Sequence, residues 1–178
     1  MYCRGVIALK ASVLQSFSYL LASISSQESI HIETHTVASQ TIQSYRNGAD
    51  IYNGDAFCKK KAIQLLKEIG LPNGLFPLDD IEEFGYNHEA GFVWLIQKKK
   101  KDHTFKKIKR AVSYAPEVTA FNEKGKMKKM TGVKMKELML CLSIVDMYID
   151  DPASKKITFK TGTSLSDSFP VSAFEFEE

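Results

Sequence analysis

The sequence lacks almost every pattern that dictates a chemistry. Its three cysteines, Cys3, Cys58 and Cys141, form no CxxC pair and have no histidine at metal-ligand spacing. That argues against a disulfide scaffold and a zinc site, and it reads as reduced thiols in a cytoplasmic protein. There is no phosphate-binding glycine loop, no dinucleotide fingerprint, no N-glycosylation sequon and no lipidation box. No run approaches the ~18 apolar residues a membrane-spanning helix needs. Charge of one sign is also missing: the net value is only +3 over 178 residues, which does not suit a dedicated nucleic-acid binder. From the residues we expect no cofactor, no metal and no nucleic-acid partner.

What is present is a foldable composition, 44% hydrophobic and 25% charged, of single-domain length. Residues 1–43 read as an N-terminal extension and linker, and residues 44–178 as one β-rich domain. The first 27 residues are rich in serine and free of acidic side chains. They resemble a signal peptide with Arg4 ahead of Val13–Leu21, or an organelle transit peptide. Lys10 and Gln15 dilute the apolar stretch and no small-residue cleavage site follows. Residues 27–54 are polar and without period, hence a linker that becomes ordered near Tyr45.

Asp55 then offers an N-cap. Cys58, Ala62, Leu65, Leu66 and Ile69 recur at helical spacing, and Gly70 with Pro72 closes a helix over about 55–69. Lys59, Lys60, Lys61 and Lys67 fall mainly on its other faces and read as solvated. Beyond it the texture is strands and turns. "GLPNGLFP" forms a rigid apolar corner. Asn87–Gly91 turns into a strand with Phe92, Trp94 and Ile96 on one face and Val93 and Leu95 on the other, apolar on both sides. "VSYAPEVTAF" is a strand bulged at Pro116, Gly125 marks a turn, and "ELMLCLSIVDMYI", "ITFKT" and "SFPVSAFEF" supply further strands. The spacing predicts a mainly β fold, an antiparallel barrel or sandwich preceded by one α-helix.

The candidates for chemistry are thin. "GTSLSDS" lacks the last glycine of a nucleophile elbow, and a strand rather than a helix follows, so it reads as a polar hairpin loop. Esterase chemistry would require Ser164 or Ser166 beside His88 or His103. His31 and His35 lie in the linker, and Asp79, Asp80, Glu82 and Glu83 read as a solvated turn. No catalytic residue is assigned.

The densest feature is "KKKKDHTFKKIKR", residues 98–110, which carries +7 while the rest of the chain sums to −4. In a strand over 103–114, Lys106 and Arg110 would face one way and Lys107 and Lys109 the other, so neither face could cover a core. Lysines on both faces suit a sheet edge or protruding hairpin. Lys98, Lys99, Lys100, Lys101, Lys106, Lys107, Lys109 and Arg110 are therefore the candidate ligand-binding residues, able to attract an anionic membrane surface or ligand. Only Phe105 is available for base stacking, which disfavours single-stranded nucleic acid.

Together "LLKEIGLPNGLFPLDDIEEFGYN", "GFVWLIQKK", "VSYAPEVTAF", "MTGVKMKELML" and "YIDDPASKKITFKTGTSLSDSFPVSAFE" resemble the plant-specific family called domain of unknown function 538. The likeness runs from about Tyr45 to Glu175 and is most specific in G-L-P-x-G-L-F-P and S-F-P-V-S-A-F. "GADIYNGDAFCKKKA" is similar to the subgroup with a short leader, whose members begin near Ala38; residues 1–37 depart from that pattern. The resemblance implies a mostly β domain behind a helix, likened to lipid-binding proteins of the bactericidal/permeability-increasing type, with carboxyl-ester hydrolysis also suggested. The expectation is a soluble, non-enzymatic binding protein for a lipid or other amphipathic ligand. The alternatives are a carboxyl-ester hydrolase and a protein-interaction module in stress or development.

Overall fold

Polar as it is, the stretch just ahead of Asp55 folds. A computed structural model describes residues 38–137 and 140–176, and within them residues 38–45 are helical (α1), so the linker reading is corrected there. Two apolar residues four apart, Ala38 and Ile42, give this helix its buried stripe. The order continues as β1 Asp50–Asn53, α2 Asp55–Glu68, β2 Ile81–Asn87, β3 Phe92–Gln97, β4 Lys101–Phe105, β5 Arg110–Glu123, β6 Lys126–Glu137, β7 Leu140–Tyr148, β8 Lys156–Thr161 and β9 Ser166–Pro170. The signal-peptide and transit-peptide readings, Cys3, His31 and His35 lie outside the described residues.

The nine strands make one sheet, in the order β1-β2-β3-β5-β6-β7-β8-β9, with every pairing antiparallel. The fold is mainly β, and the sheet is not closed by hydrogen bonds. β4 pairs with β5 alone, beside residues 110–114, while β3 takes residues 117–121 of the same long strand. In effect β3 and β4 are one strand broken at Lys98–Lys100. The expected strand over 103–114 is therefore a hairpin whose turn is residues 106–109.

Two interruptions bend the sheet. Pro116 has no N–H to give, and the β5–β6 register shifts between Tyr114 and Thr119. Gly132, at φ +79, answers it from β6, where a Cβ would lie 2.1 Å from the Glu117 carbonyl oxygen. A bulge of this kind increases local twist. Curvature carries the last strands round towards β4. Phe174, in the 3-10 turn Val171–Phe174, packs its ring against Phe105 of β4 and against Phe159 and Phe169 of β8 and β9. Side chains thus fill a seam that backbone pairing leaves open.

Helix α2 buries Cys58, Ala62, Leu65 and Leu66 against the main core. Its end is a Schellman motif: Leu71 N–H reaches Leu66 O at 2.8 Å, Gly70 N–H reaches Lys67 O at 3.1 Å, and Gly70 sits at φ +78. Its start differs from expectation. Gly54 is the N-cap, and Asp55 lies inside the first turn, where its carboxylate accepts from Ile81 N–H at 2.9 Å and Lys59 Nζ at 2.8 Å. That bond ties the helix to the first residue of β2.

The opposite face of β3 is covered by α1. Ile42, Phe92 and Trp94 form a second cluster with Tyr45, Ile51 and Phe121 around it. Both faces of β3 are buried, which is why its sequence runs apolar without alternation.

Candidate functional site

Between α2 and the sheet the packing stops short. Two turns of α2 present Lys59, Ala62, Ile63 and Leu66 to a cavity of about 340 Å³, and Asn73, Phe76, Leu78 and Asp79 of the corner face them. Ile81 and Leu95 line the floor, and Lys101, His103 and Phe176 complete the rim. Behind Ala62, Leu66, Phe76 and Leu95 lies a further void of about 10 Å³ that these four also line.

The "GLPNGLFP" corner and the C-terminal segment after β9 build this opening by meeting each other. Gly74 N–H donates to Phe174 O at 2.8 Å, and a Cβ on Gly74 would fall 2.5 Å from that same oxygen. Phe176 N–H donates to Asn73 Oδ1 at 3.3 Å. Leu75 O accepts from the buried Tyr114 hydroxyl at 2.7 Å, and Phe76 packs edge-on against the Tyr114 ring. Burial pushes that phenol far above its ordinary range, so it stays a donor. The corner is thus fastened from the C-terminal segment on one side and from β5 on the other.

Charge is confined to the rim. Asp79 forms ion pairs with Lys101 and, at 3.2 Å, with Lys59. Hydrogen bonding from Lys101 above all holds the Asp79 carboxyl below the usual carboxylate range; burial opposes it, and the bond from Lys59 adds to the lowering. Lys59 is raised, chiefly by its bond to Asp55. His103 is half-buried and packs edge-on against Phe105 at 4.6 Å. Burial first, and Lys101 second, depress its pKa, so the imidazole is neutral near pH 7. The result is an apolar chamber with two ammonium groups, one carboxylate and one neutral imidazole at its mouth.

Of the eight basic residues singled out by sequence, only Lys101 lines this cavity. Lys98, Lys99 and Lys100 are exposed in the break just before it, with Lys98 N–H bonded to Asp80 O at 3.2 Å. Lys106, Lys107 and Lys109 are exposed in the β4–β5 turn, where Lys107 Nζ donates to Ser172 O at 3.0 Å. Arg110 reaches Glu137 at 2.8 Å and Asp167 at 3.5 Å. Sequence reasoning missed Lys59, Asp79 and His103 as parts of one site. The signal was available in Lys59, Ile63 and Leu66, a continuous i, i+4, i+7 stripe that puts a lysine at the head of an apolar face.

The acidic "DDIEEF" is likewise not all solvated turn. Its second half begins β2, and Glu83 accepts from Trp94 Nε1 at 2.7 Å and from Arg46 Nη2 at 2.6 Å. Ser164 occupies a left-handed turn position at φ +65 and Ser166 opens β9. His88 Nε2 lies 3.0 Å from Asp50, and neither serine hydroxyl has a histidine partner among the described residues. Among those residues no group of histidine, cysteine and carboxylate side chains is arranged to hold a metal.

Comparison with known proteins gives a family and no function. The family described as "Protein of unknown function, DUF538" matches residues 62–175, more than half of the chain. No curated protein and no solved structure matches.

Proposed function

We propose that this chain, a member of the DUF538 family, is a non-enzymatic binding protein that takes a small amphipathic ligand into the cavity beneath α2, anionic end outward. The observation that carries this reading is the cavity itself: about 340 Å³, apolar in its walls, with Lys59 and Lys101 at its mouth. Ligand sites typically span ~300–1,000 Å³ and combine apolar walls with a few placed polar groups. The exposed Lys98–Lys100 run immediately precedes Lys101, and in this reading it draws anions towards the mouth by long-range attraction that salt screens.

The test plugs the chamber without touching the charges. Ile63 is only partly buried on α2, so Ile63→Trp fills space with little cost to the fold. Titration with an anionic fluorescent amphiphile, read by calorimetry, should show binding to the parent and a loss of at least about tenfold in the variant. Equal affinity would place the ligand elsewhere. Among the described residues no helix is long and apolar enough to cross a membrane.

A further inference from the structure

Resting on that reading, the rim also specifies which amphiphile fits. Asp79 already supplies one negative charge to the mouth, shared between Lys101 and Lys59. Its side chain is 55% exposed, on a corner that ends at Asp80 with φ +54, so it can turn into water at small cost. Lys59 would not be left bare, because Asp55 holds it from behind at 2.8 Å. Lys101 would be, since Asp79 is its ion-pair partner among the described residues. One anion leaving makes room for one anion arriving. A doubly charged phosphate monoester would bring a charge for which the mouth has no partner, and unpaired charge out of water is costly. The neutral imidazole of His103, beside Lys101 on the rim, can donate a hydrogen bond to a carboxylate without adding charge.

Size narrows the class further. A cavity of about 340 Å³ is equivalent to roughly a dozen waters at ~30 Å³ each. It sits at the low end of the range for ligand sites and matches a single chain or ring system better than two acyl chains on a glycerol.

We infer that the occupant is a compact monocarboxylate carrying one chain or one ring system, and that Asp79 is the resident anion it displaces from Lys101 and Lys59. Asp79 then acts as an internal competitor that sets the affinity for anions, while an uncharged amphiphile neither displaces it nor gains from the lysines.

The experiment compares decanoate, 1-decanol, decyl phosphate and dioctanoyl phosphatidate, each below its aggregation threshold, by calorimetry on the full chain and on Asp79→Asn and Lys101→Gln. Decanoate should bind at least about tenfold more tightly than decanol, the worth of one charge-assisted hydrogen bond, and more tightly than either phosphate. Asp79→Asn should tighten decanoate several-fold and leave decanol unchanged. Lys101→Gln should erase the preference for decanoate over decanol. Equal binding of decanol and decanoate by the parent, or a weaker hold on decanoate in Asp79→Asn, overturns the inference while the cavity stays a binding site. Tight binding of dioctanoyl phosphatidate overturns the size limit. If no amphiphile binds, the proposed function falls and takes the inference with it.

Discussion

The two sides of β3 are covered by helices in the same way and end up opposite in character. On the α1 side the space is filled by flat rings: Tyr45 stacks on Phe92 at 4.5 Å, Phe92 meets Phe121 at 5.0 Å, and Trp94 is wholly buried. The polar groups there are answered too. Ser39 bonds Glu117, and Glu83 takes both the indole N–H and the Arg46 guanidinium. On the α2 side the helix contributes Ala62 and Ile63 where a ring would be needed, and the corner residues stand back from it. One side spends its apolar side chains on order and the other leaves room. A hole held open by fastened backbone, between Gly74 and Phe174 and between Leu75 and Tyr114, is a different object from a packing defect, because the walls cannot collapse to close it.

The widest separation between the two sides should come from Trp94→Ala. The ring is 0% exposed and lies over Gly85, where a Cβ would meet it at 2.0 Å. Losing it creates a cavity where nothing can follow, and about 3–5 kcal/mol of stability should go. Urea denaturation measures this directly; a change below about 1 kcal/mol would mean that the α1 side repacks freely and the contrast drawn here is false. Gly74→Ala comes next, at about 1–3 kcal/mol, since the new methyl collides with backbone and the Gly74–Phe174 bond must lengthen or break. Ligand affinity should fall in the same variant, because the corner and the C-terminal segment share the cavity wall. A Gly74→Ala protein with full affinity would separate the fastening from the site.

How far the sequence already showed this depended on which physical signal each element carries. α2, the closing Gly70 and the two-faced β3 were readable because periodicity and left-handed glycine are local properties. α1 was not: its burial stripe is two residues, and only the ring cluster beneath it makes a helix of "ASQTIQSY". The basic run was noticed for its density, yet only one of its lysines reaches the cavity. The break after Gln97 decides that, and it depends on how β3 and β4 share β5. Asp79 and His103 were legible as residues but not as neighbours, because their meeting depends on where a corner and an edge strand lie in space.

A smaller effect separates the sides by polarity. Glu83 has only 14% of its side chain exposed and holds two donors. Glu83→Gln keeps the shape and one acceptor but loses the charge beside Arg46, which should cost about 1–2 kcal/mol. Asp79→Asn on the exposed rim should cost less than about 0.5 kcal/mol, as solvent-screened pairs do. Thermal melting of both variants at the same ionic strength compares them, and an equal loss would erase the distinction between a structural and a displaceable carboxylate.

The smallest expected effect is in acid, and it follows from the sign of two opposite kinds of site. Folding lowers the pKa of His103 below its ordinary 6.5, through burial and then Lys101, with Asp79 opposing. The unfolded chain therefore binds that proton more readily than the native state does. Stability from this group is complete above about pH 6.5 and is lost as the pH falls from there through the native pKa. Asp55 and Asp79 are lowered as well, chiefly by Lys59 and Lys101 respectively, so their contributions persist to lower pH and vanish only below the ordinary carboxylate value of 3.8. The two windows do not coincide. Between pH 7 and pH 5 the difference in urea midpoint between the parent and His103→Gln should shift steadily against the parent, while the same difference for Asp79→Asn should move slightly in the parent's favour, because losing the Asp79 charge depresses His103 further. Parallel curves for His103→Gln would show that the imidazole is as well solvated in the fold as in the open chain. His103 would then be no part of a partly dry mouth, unlike the lysines beside it.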